Sequence, residues 1–183
     1  MSYAPPIPTL VHLMRAEIRL GTIEEIGTTP LGRRRVIPIV GGSFTGARIS
    51  GEVLPGGADW QLVRPDGVAV LDARYTLRTD DDALIYVSNQ GVRSGPPDVL
   101  AQLGRGEAVD PACYYFRTTP RFETGAAHYA WLNDLIVVAA GIRAAVILTA
   151  GLAEAGPAGA GQPERPGAPA PEGGGVLPGG PGP

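Results

Sequence analysis

Asp59 stands just after the turn glycines Gly56 and Gly57, and Arg74 lies near the middle of the next strand-like run. If those runs pair as neighbours in a sheet, Asp59 or Glu52 projects from the same wall as Arg74, because side chains on adjacent strands meet across the ladder. A carboxylate that accepts a proton, a guanidinium that steadies a developing enolate or phenolate, and a tyrosine that donates a proton suffice for acid/base chemistry without a cofactor. Tyr86, Tyr115 and Arg117 extend the polar set. The reading assigns Asp59 or Glu52 as base, Arg74 and Arg117 as anion stabilisers, and Tyr86 or Tyr115 as acid. Trp60, Phe122 and Trp131 offer flat apolar surface to an aromatic or polyketide-like ligand. The same residues also fit a plainer reading, an outer ion-pair ladder with the aromatics as core plugs.

Two histidines join the candidate ligand-binding set. His12 alternates with Met14, Ala16 and Ile18, so an imidazole on that face needs a hydrogen-bond partner or a place at a pocket wall. His128 precedes Tyr129, Trp131 and Asn133, which suits a rim or lid of aromatic side chains and equally a plain surface histidine. No nucleophile elbow, Cys/His pairing or phosphate loop is present, and the glycine pairs fall between strands instead of opening helices. With one cysteine, Cys113, and two histidines, a tetrahedral Cys/His zinc site is out of reach. Asp80, Asp81 and Asp82 read as solvated turn acids before they read as a calcium loop. All fifteen basic residues are arginine, which removes lysine Schiff-base chemistry. The expectation is an activity that needs neither metal nor cofactor.

The formal net charge is −3 and the arginines are scattered singly apart from Arg33 to Arg35, so nucleic acid is not an expected partner. A single cysteine rules out an internal disulfide and suits a reducing cytoplasm. The first residues lack a basic start followed by a long apolar run. Leu135 to Ala150 is apolar but interrupted by Gly141 and Arg143 and too short for a membrane helix. A soluble cytoplasmic protein is expected, with no membrane partner.

Strand-like runs recur at Val11–Leu20, Arg34–Val40, Arg48–Leu54, Ala58–Arg64, Val68–Thr79, Asp82–Gln90, Cys113–Thr119, Leu132–Ala140 and Arg143–Thr149. Turn signals separate them, Arg64-Pro65-Asp66-Gly67 being the clearest, and no gap is long enough for a crossover helix. Pro97 to Arg105 is the one short helix. The pattern predicts an all-β fold, a single antiparallel up-and-down barrel of eight to nine strands spanning residues 9–150. Residues 1–8 form a proline-rich lead-in. Residues 151–183 form a tail in which nineteen of thirty-three residues are Gly or Pro, a composition that cannot offset its own chain entropy.

Each strand splits into an apolar and a polar face. One assignment turns the apolar face inward and leaves the polar face as a solvated wall. The other closes the strands around a polar-lined cup that holds one small ligand. Leu132 to Ala140, apolar on both faces, argues that a second surface covers it, and so for a homo-oligomer, a dimer or larger.

Gly41 to Trp60, Leu71 to Leu77, Ile85 to Val87, Tyr114 to Phe122 and Tyr129 to Asn133 together resemble a bacterial and fungal family known as domain of unknown function 3237, over roughly residues 9–150. The resemblance implies a small calycin-like closed barrel, and it favours the polar-lined cup. For some relatives it implies cofactor-free cyclases of natural-product pathways. It also implies a glycine near Asp82, where this chain has none. The leading reading is a cofactor-free cyclase or isomerase acting on a small, partly aromatic molecule. The alternative is a non-catalytic carrier barrel, and a third is a structural partner whose tail makes the contacts.

Overall fold

The computed structural model describes residues 7–142 and 146–154. Ten strands form one antiparallel sheet: β1 (Thr9–Leu20), β2 (Glu24–Thr29), β3 (Gly32–Thr45), β4 (Ser50–Val53), β5 (Gly57–Val63), β6 (Ala69–Thr79), β7 (Leu84–Ser94), β8 (Tyr115–Glu123), β9 (Val137–Ile142) and β10 (Val146–Glu154). Helix α1 (Pro97–Gly104) follows β7, as the sequence predicts. The sheet closes because β3 serves two partners in succession. Its first half pairs with β5 and carries the β2 flap, and its second half lies between β4 and β1. β1 returns through β10 to β9, β8, β7 and β6, so the ladder runs round into a barrel.

Gly42 makes the switch along β3 possible. Its φ is +153°, and a Cβ there would stand 2.1 Å from the Glu17 carbonyl oxygen on β1. Only glycine lets two backbones approach so closely. Gly51 does the same on β4, where a Cβ would lie 2.1 Å from the Arg78 carbonyl oxygen.

The interior has two apolar layers. Leu13, Phe44, Leu77, Ile85, Val87 and Val137 belong to the larger, and Phe122 and Leu132 complete it. At the other end Leu103, Tyr114 and Phe116 form a smaller cluster with Leu71, Val99 and Leu100, so α1 and its loop lie over that end of the sheet. Alternation places Ala73, Tyr75 and Leu77 of β6 and Ile85 and Val87 of β7 inside, which matches the first assignment of faces. β5 runs the other way: Asp59 and Gln61 are buried and Trp60 is exposed.

Several boundaries differ from expectation. β2 carries too few apolar residues to announce itself. β7 continues to Ser94 and β8 to Glu123, while Leu132 sits in a 3₁₀ helix (Ala127–Asp134) and not in a strand. His12 is corrected outward. A β-bulge between His12 and Met14 breaks the alternation, so Leu13 and Met14 are both buried and His12 is exposed. β10 extends to Glu154, past the expected domain end, and the lead-in to Pro6 and the tail from Ala155 lie outside the described residues. Among the described residues no helix is long and apolar enough to cross a membrane.

Candidate functional site

A cavity of about 290 Å³ lies between the two apolar layers. Its apolar wall includes Ile18, Ile37, Ile39, Leu71, Ala73 and Phe116. Its polar residues are Asp59, Gln61, Tyr75, Asn89 and Arg93, with Glu107 from the loop after α1 at the edge.

Asp59 is held from two sides. The Asp72 backbone N–H donates to Oδ1 at 3.0 Å and Gln61 Nε2 donates to Oδ2 at 2.9 Å. Gln61 in turn accepts with Oε1 from Arg35 Nε at 2.8 Å and from Arg35 Nη2. Burial pushes the Asp59 carboxyl above its ordinary 3.8. The two hydrogen bonds and the charges of Arg35 and Arg93 pull the other way without cancelling it. A carboxylate so placed is a stronger base than one in water, and each oxygen keeps lone-pair capacity beyond its one donor. Arg35, Arg93 and Asp59 are the buried charged side chains among the described residues, so positive charge is in excess around this carboxylate. Burial likewise drives the Tyr75 phenol upward, against a hydrogen bond from Asn89, so Tyr75 stays protonated and able to donate.

Of the twelve residues singled out from sequence, only Asp59 lines this cavity. Glu52 and Arg78 form an exposed ion pair at 3.3 Å across β4 and β6. Arg74 faces outward, 3.2 Å from Asp72, with its guanidinium 5.7 Å from the Trp60 ring centre. Tyr86 and Tyr115 are exposed, and Arg117 lies 5.2 Å from the Tyr115 ring centre. Trp60, Tyr115 and Arg117 line a groove on the outer surface. Phe122 is core. Trp131 is half-buried beneath the Arg48 guanidinium at 3.8 Å. His128 is exposed and meets Asp81 at 2.7 Å, where Tyr129 also donates to Asp81. Asn133 bonds the Thr124 backbone in both directions. The last three therefore fasten the 3₁₀ helix to its surroundings. His12 stands outside the barrel.

Arg35, Gln61, Tyr75, Asn89 and Arg93 escaped the sequence reading, and two signals point to them. Continuing the alternation of Ile85 and Val87 through Asn89 and Gly91 reaches Arg93. A hairpin closing between Arg64 and Val68 places Asp59 opposite Ala73, so Asp59 belongs to the face of Ala73 and not to that of Arg74. Among the described residues no three His, Cys, Asp or Glu side chains gather as potential metal ligands.

A family described as "Protein of unknown function (DUF3237)" matches residues 8–148. The chain belongs to this family. A UPF0311 protein of Bradyrhizobium diazoefficiens is 50% identical over 138 residues, covering 74% of this chain and 90% of that protein. Among solved structures, the DUF3237 barrel superimposes on a conserved protein of unknown function from Rhodopseudomonas palustris with a TM-score of 0.76 and 41% identity, over 80% of this chain and 98% of the other. A beta-barrel like protein from Acinetobacter baumannii gives a TM-score of 0.74 at 43% identity, over 84% and 100% of the two chains. Two fungal proteins are more distant. PR-toxin biosynthesis cluster protein 7 of Penicillium roqueforti is 27% identical over 152 residues, covering 73% of this chain and 82% of that protein. An enzyme from Penicillium herquei shares the fold at 22% identity and a TM-score of 0.64, over 84% and 99% of the two chains. The fold thus occurs in a protein called an enzyme, and a sequence relative is named for a biosynthetic cluster, while the family's own description assigns no function.

Proposed function

We propose that the protein is a cofactor-free acid/base enzyme that cyclises or isomerises a small, partly aromatic molecule held in the barrel. One observation carries this reading: Asp59, a buried carboxylate with raised proton affinity, lines a cavity of about 290 Å³ whose remaining wall is largely apolar. That volume is near the lower end of small-molecule sites, ~300–1,000 Å³. One fungal relative is named for a biosynthetic cluster and another is called an enzyme, which supports this reading.

Asp59 takes a proton from an acidic O–H or C–H of the substrate. The anion left behind is steadied by the Arg93 guanidinium and the Tyr75 hydroxyl. It attacks an electron-poor carbon of the same molecule or passes its electron pair along it, and the proton is returned at the atom that received the pair. Substrate and product are isomers, so no oxidant or second reactant is consumed. Arg35 and Gln61 act through Asp59, fixing its orientation.

The test uses a model carbon acid of suitable size, 2-tetralone. Wild-type protein is expected to speed exchange of its α-hydrogens in D₂O, followed by NMR, about a hundredfold or more over Asp59→Asn, in the usual range for general-base catalysis. Equal exchange with both proteins would remove the enzyme reading. Binding of 2-tetralone without exchange would leave the carrier barrel.

A further inference from the structure

A straight row of side chains crosses the outer groove. Arg34 on β3 pairs with Leu62 on β5, Leu62 with Val70 on β6, Val70 with Val92 on β7, and Val92 with Arg117 on β8. All five line the groove, so three apolar side chains lie on the outer surface between two arginines. Four strand spacings separate the arginines, about 19 Å between Cα atoms. Arg34 donates to the Trp60 carbonyl at 3.0 Å and Arg117 to the Phe116 carbonyl at 2.9 Å, and among the described residues neither forms an ion pair. Trp60 flanks the row at the Arg34 end and Tyr115 at the Arg117 end, and both rings are exposed. An apolar strip with an aromatic wall and a cation at each end suits an extended proline-rich segment bearing a carboxylate near each end.

The chain carries such a segment outside the described residues. Residues 163–172 read Pro-Glu-Arg-Pro-Gly-Ala-Pro-Ala-Pro-Glu. Pro163, Pro166 and Pro169 recur at the three-residue period of a polyproline II helix, which sets them on one face. In that conformation Glu164 and Glu172 stand about 25 Å apart, and the long Arg and Glu side chains take up the difference from the arginine spacing. The segment also reaches the groove. Arg117 pairs with Ala140 on β9 and Ala140 with Thr149 on β10, while β10 runs on to Glu154. The end of β10 therefore lies about 20 Å from Arg117, and the run from Glu154 to Pro163 spans up to about 30 Å when extended.

We propose that residues 163–172 dock on the outer groove of their own barrel, Glu164 against Arg117 and Glu172 against Arg34, with the prolines over Leu62, Val70 and Val92. The tether holds the segment at an effective concentration on the order of millimolar, so modest contacts suffice to fill the groove. The inner cavity and its acid/base reading play no part in this docking.

The test uses the full chain with Cys113→Ser and Ala168→Cys, a nitroxide attached at the new thiol, and amide signals followed by NMR in dilute solution. The Leu62, Val70 and Val92 signals are expected to be lost while the nitroxide is oxidised and to return when it is reduced. Glu164→Arg with Glu172→Arg, both outside the barrel, is expected to bring the three signals back in the oxidised sample. Adding Arg34→Glu with Arg117→Glu reverses both sets of charges and is expected to remove them again. Full signals at these three residues in the first sample overturn the proposal, as does a loss that survives the two glutamate substitutions. A final sample mixes isotope-enriched chain without nitroxide and nitroxide-bearing chain without enrichment. Loss of the three signals there assigns the groove to the tail of a second copy and overturns docking within one chain.

Discussion

Gln61 stands between Arg35 and Asp59, accepting from the guanidinium with Oε1 and donating to the carboxylate with Nε2. A single neutral amide thus couples two buried charges and fixes its own orientation, since its oxygen must face the cation and its nitrogen the anion. Gln61→Leu removes all three of these hydrogen bonds, two from Arg35 and one to Asp59, while keeping bulk. Hydrogen bonds to charged groups are worth ~1.5–3 kcal/mol each, so the variant is expected to lose about 3 kcal/mol or more in denaturant unfolding. The Asp59 carboxyl, deprived of a donor, is expected to titrate still higher.

That titration sets the pH dependence of exchange. The base must be ionised to act, so the rate of 2-tetralone exchange rises with pH along a limb whose midpoint lies above 3.8. The limb is expected to vanish in Asp59→Asn and to move to higher pH in Gln61→Leu. Stability has the opposite slope. Below 3.8 the carboxyl is protonated in both folded and unfolded chains and Asp59 makes no difference. Between 3.8 and the raised folded value the unfolded chain releases its proton first, so this residue's contribution falls as pH rises and then levels off. Denaturation curves of the wild type and Asp59→Asn across this range are expected to show the wild type losing ground with pH.

Arg74 offers the contrary case. It lies on the outer wall, with a half-buried partner in Asp72 and the Trp60 ring beside it. Arg74→Met is expected to leave 2-tetralone exchange unchanged and to alter stability by no more than about 1 kcal/mol, the range of exposed ion pairs. A loss of exchange in this variant would move the chemistry to the outer wall of the barrel, where the structure places Arg74, Arg117 and Tyr115.

The reasons for that displacement are physical. Hairpin turns and the division of β6 and β7 into two faces were legible because apolar side chains there alternate without exception through Ala73, Tyr75 and Leu77 and through Ile85 and Val87; which face turns inward was left open, and ten strands stand where eight to nine were expected. β5 misleads a reading based on hydrophobicity, since its larger apolar residues, Trp60 and Leu62, lie on the outer side and Asp59 and Gln61 lie within. Pairing register overrides side-chain character there: Asp59 is tied to Ala73 whatever its polarity. His12 escaped because a bulge shifts the alternation by one residue, and no residue type at that point announces it. Arg93 escaped because the strand runs four residues beyond Gln90, where its polarity suggested an end.

Asp82 shows where a turn carries a backbone cost. It is the one residue other than glycine with positive φ among those described, at +64°, in the three-residue connection from Thr79 to Ala83. Asp82 N–H donates to the Thr79 carbonyl at 3.0 Å, which closes the turn and leaves the left-handed position to an L side chain. Asp82→Gly is expected to raise stability by up to about 1 kcal/mol, the strain relieved being partly offset by the greater freedom of glycine in the unfolded chain. A fall in the denaturation midpoint would mean that the Asp82 carboxylate holds the turn by some contact of its own.

Closure of the barrel is the most demanding point of the chain, and Gly42 isolates it. The residue sits where β3 exchanges β5 for β4 while keeping β1, and a methyl group there would meet the Glu17 carbonyl oxygen and, at 3.1 Å, Ile18 Cα. Both obstacles are backbone, so neither can swing aside as a side chain would. The +153° φ adds strain for any residue with a Cβ. Gly42→Ala is therefore expected to separate β1 from β3 and to cost at least about 3 kcal/mol, read as a lowered denaturation midpoint. Amide exchange should quicken first along Arg15 to Leu20, the length of β1 that pairs with β3. Because Ile18 and Leu20 line the cavity, the same variant should lose 2-tetralone exchange even where it remains folded. A variant with native stability would show that the barrel can close by another route, and the placement of the β1 wall of the cavity would then need a different origin.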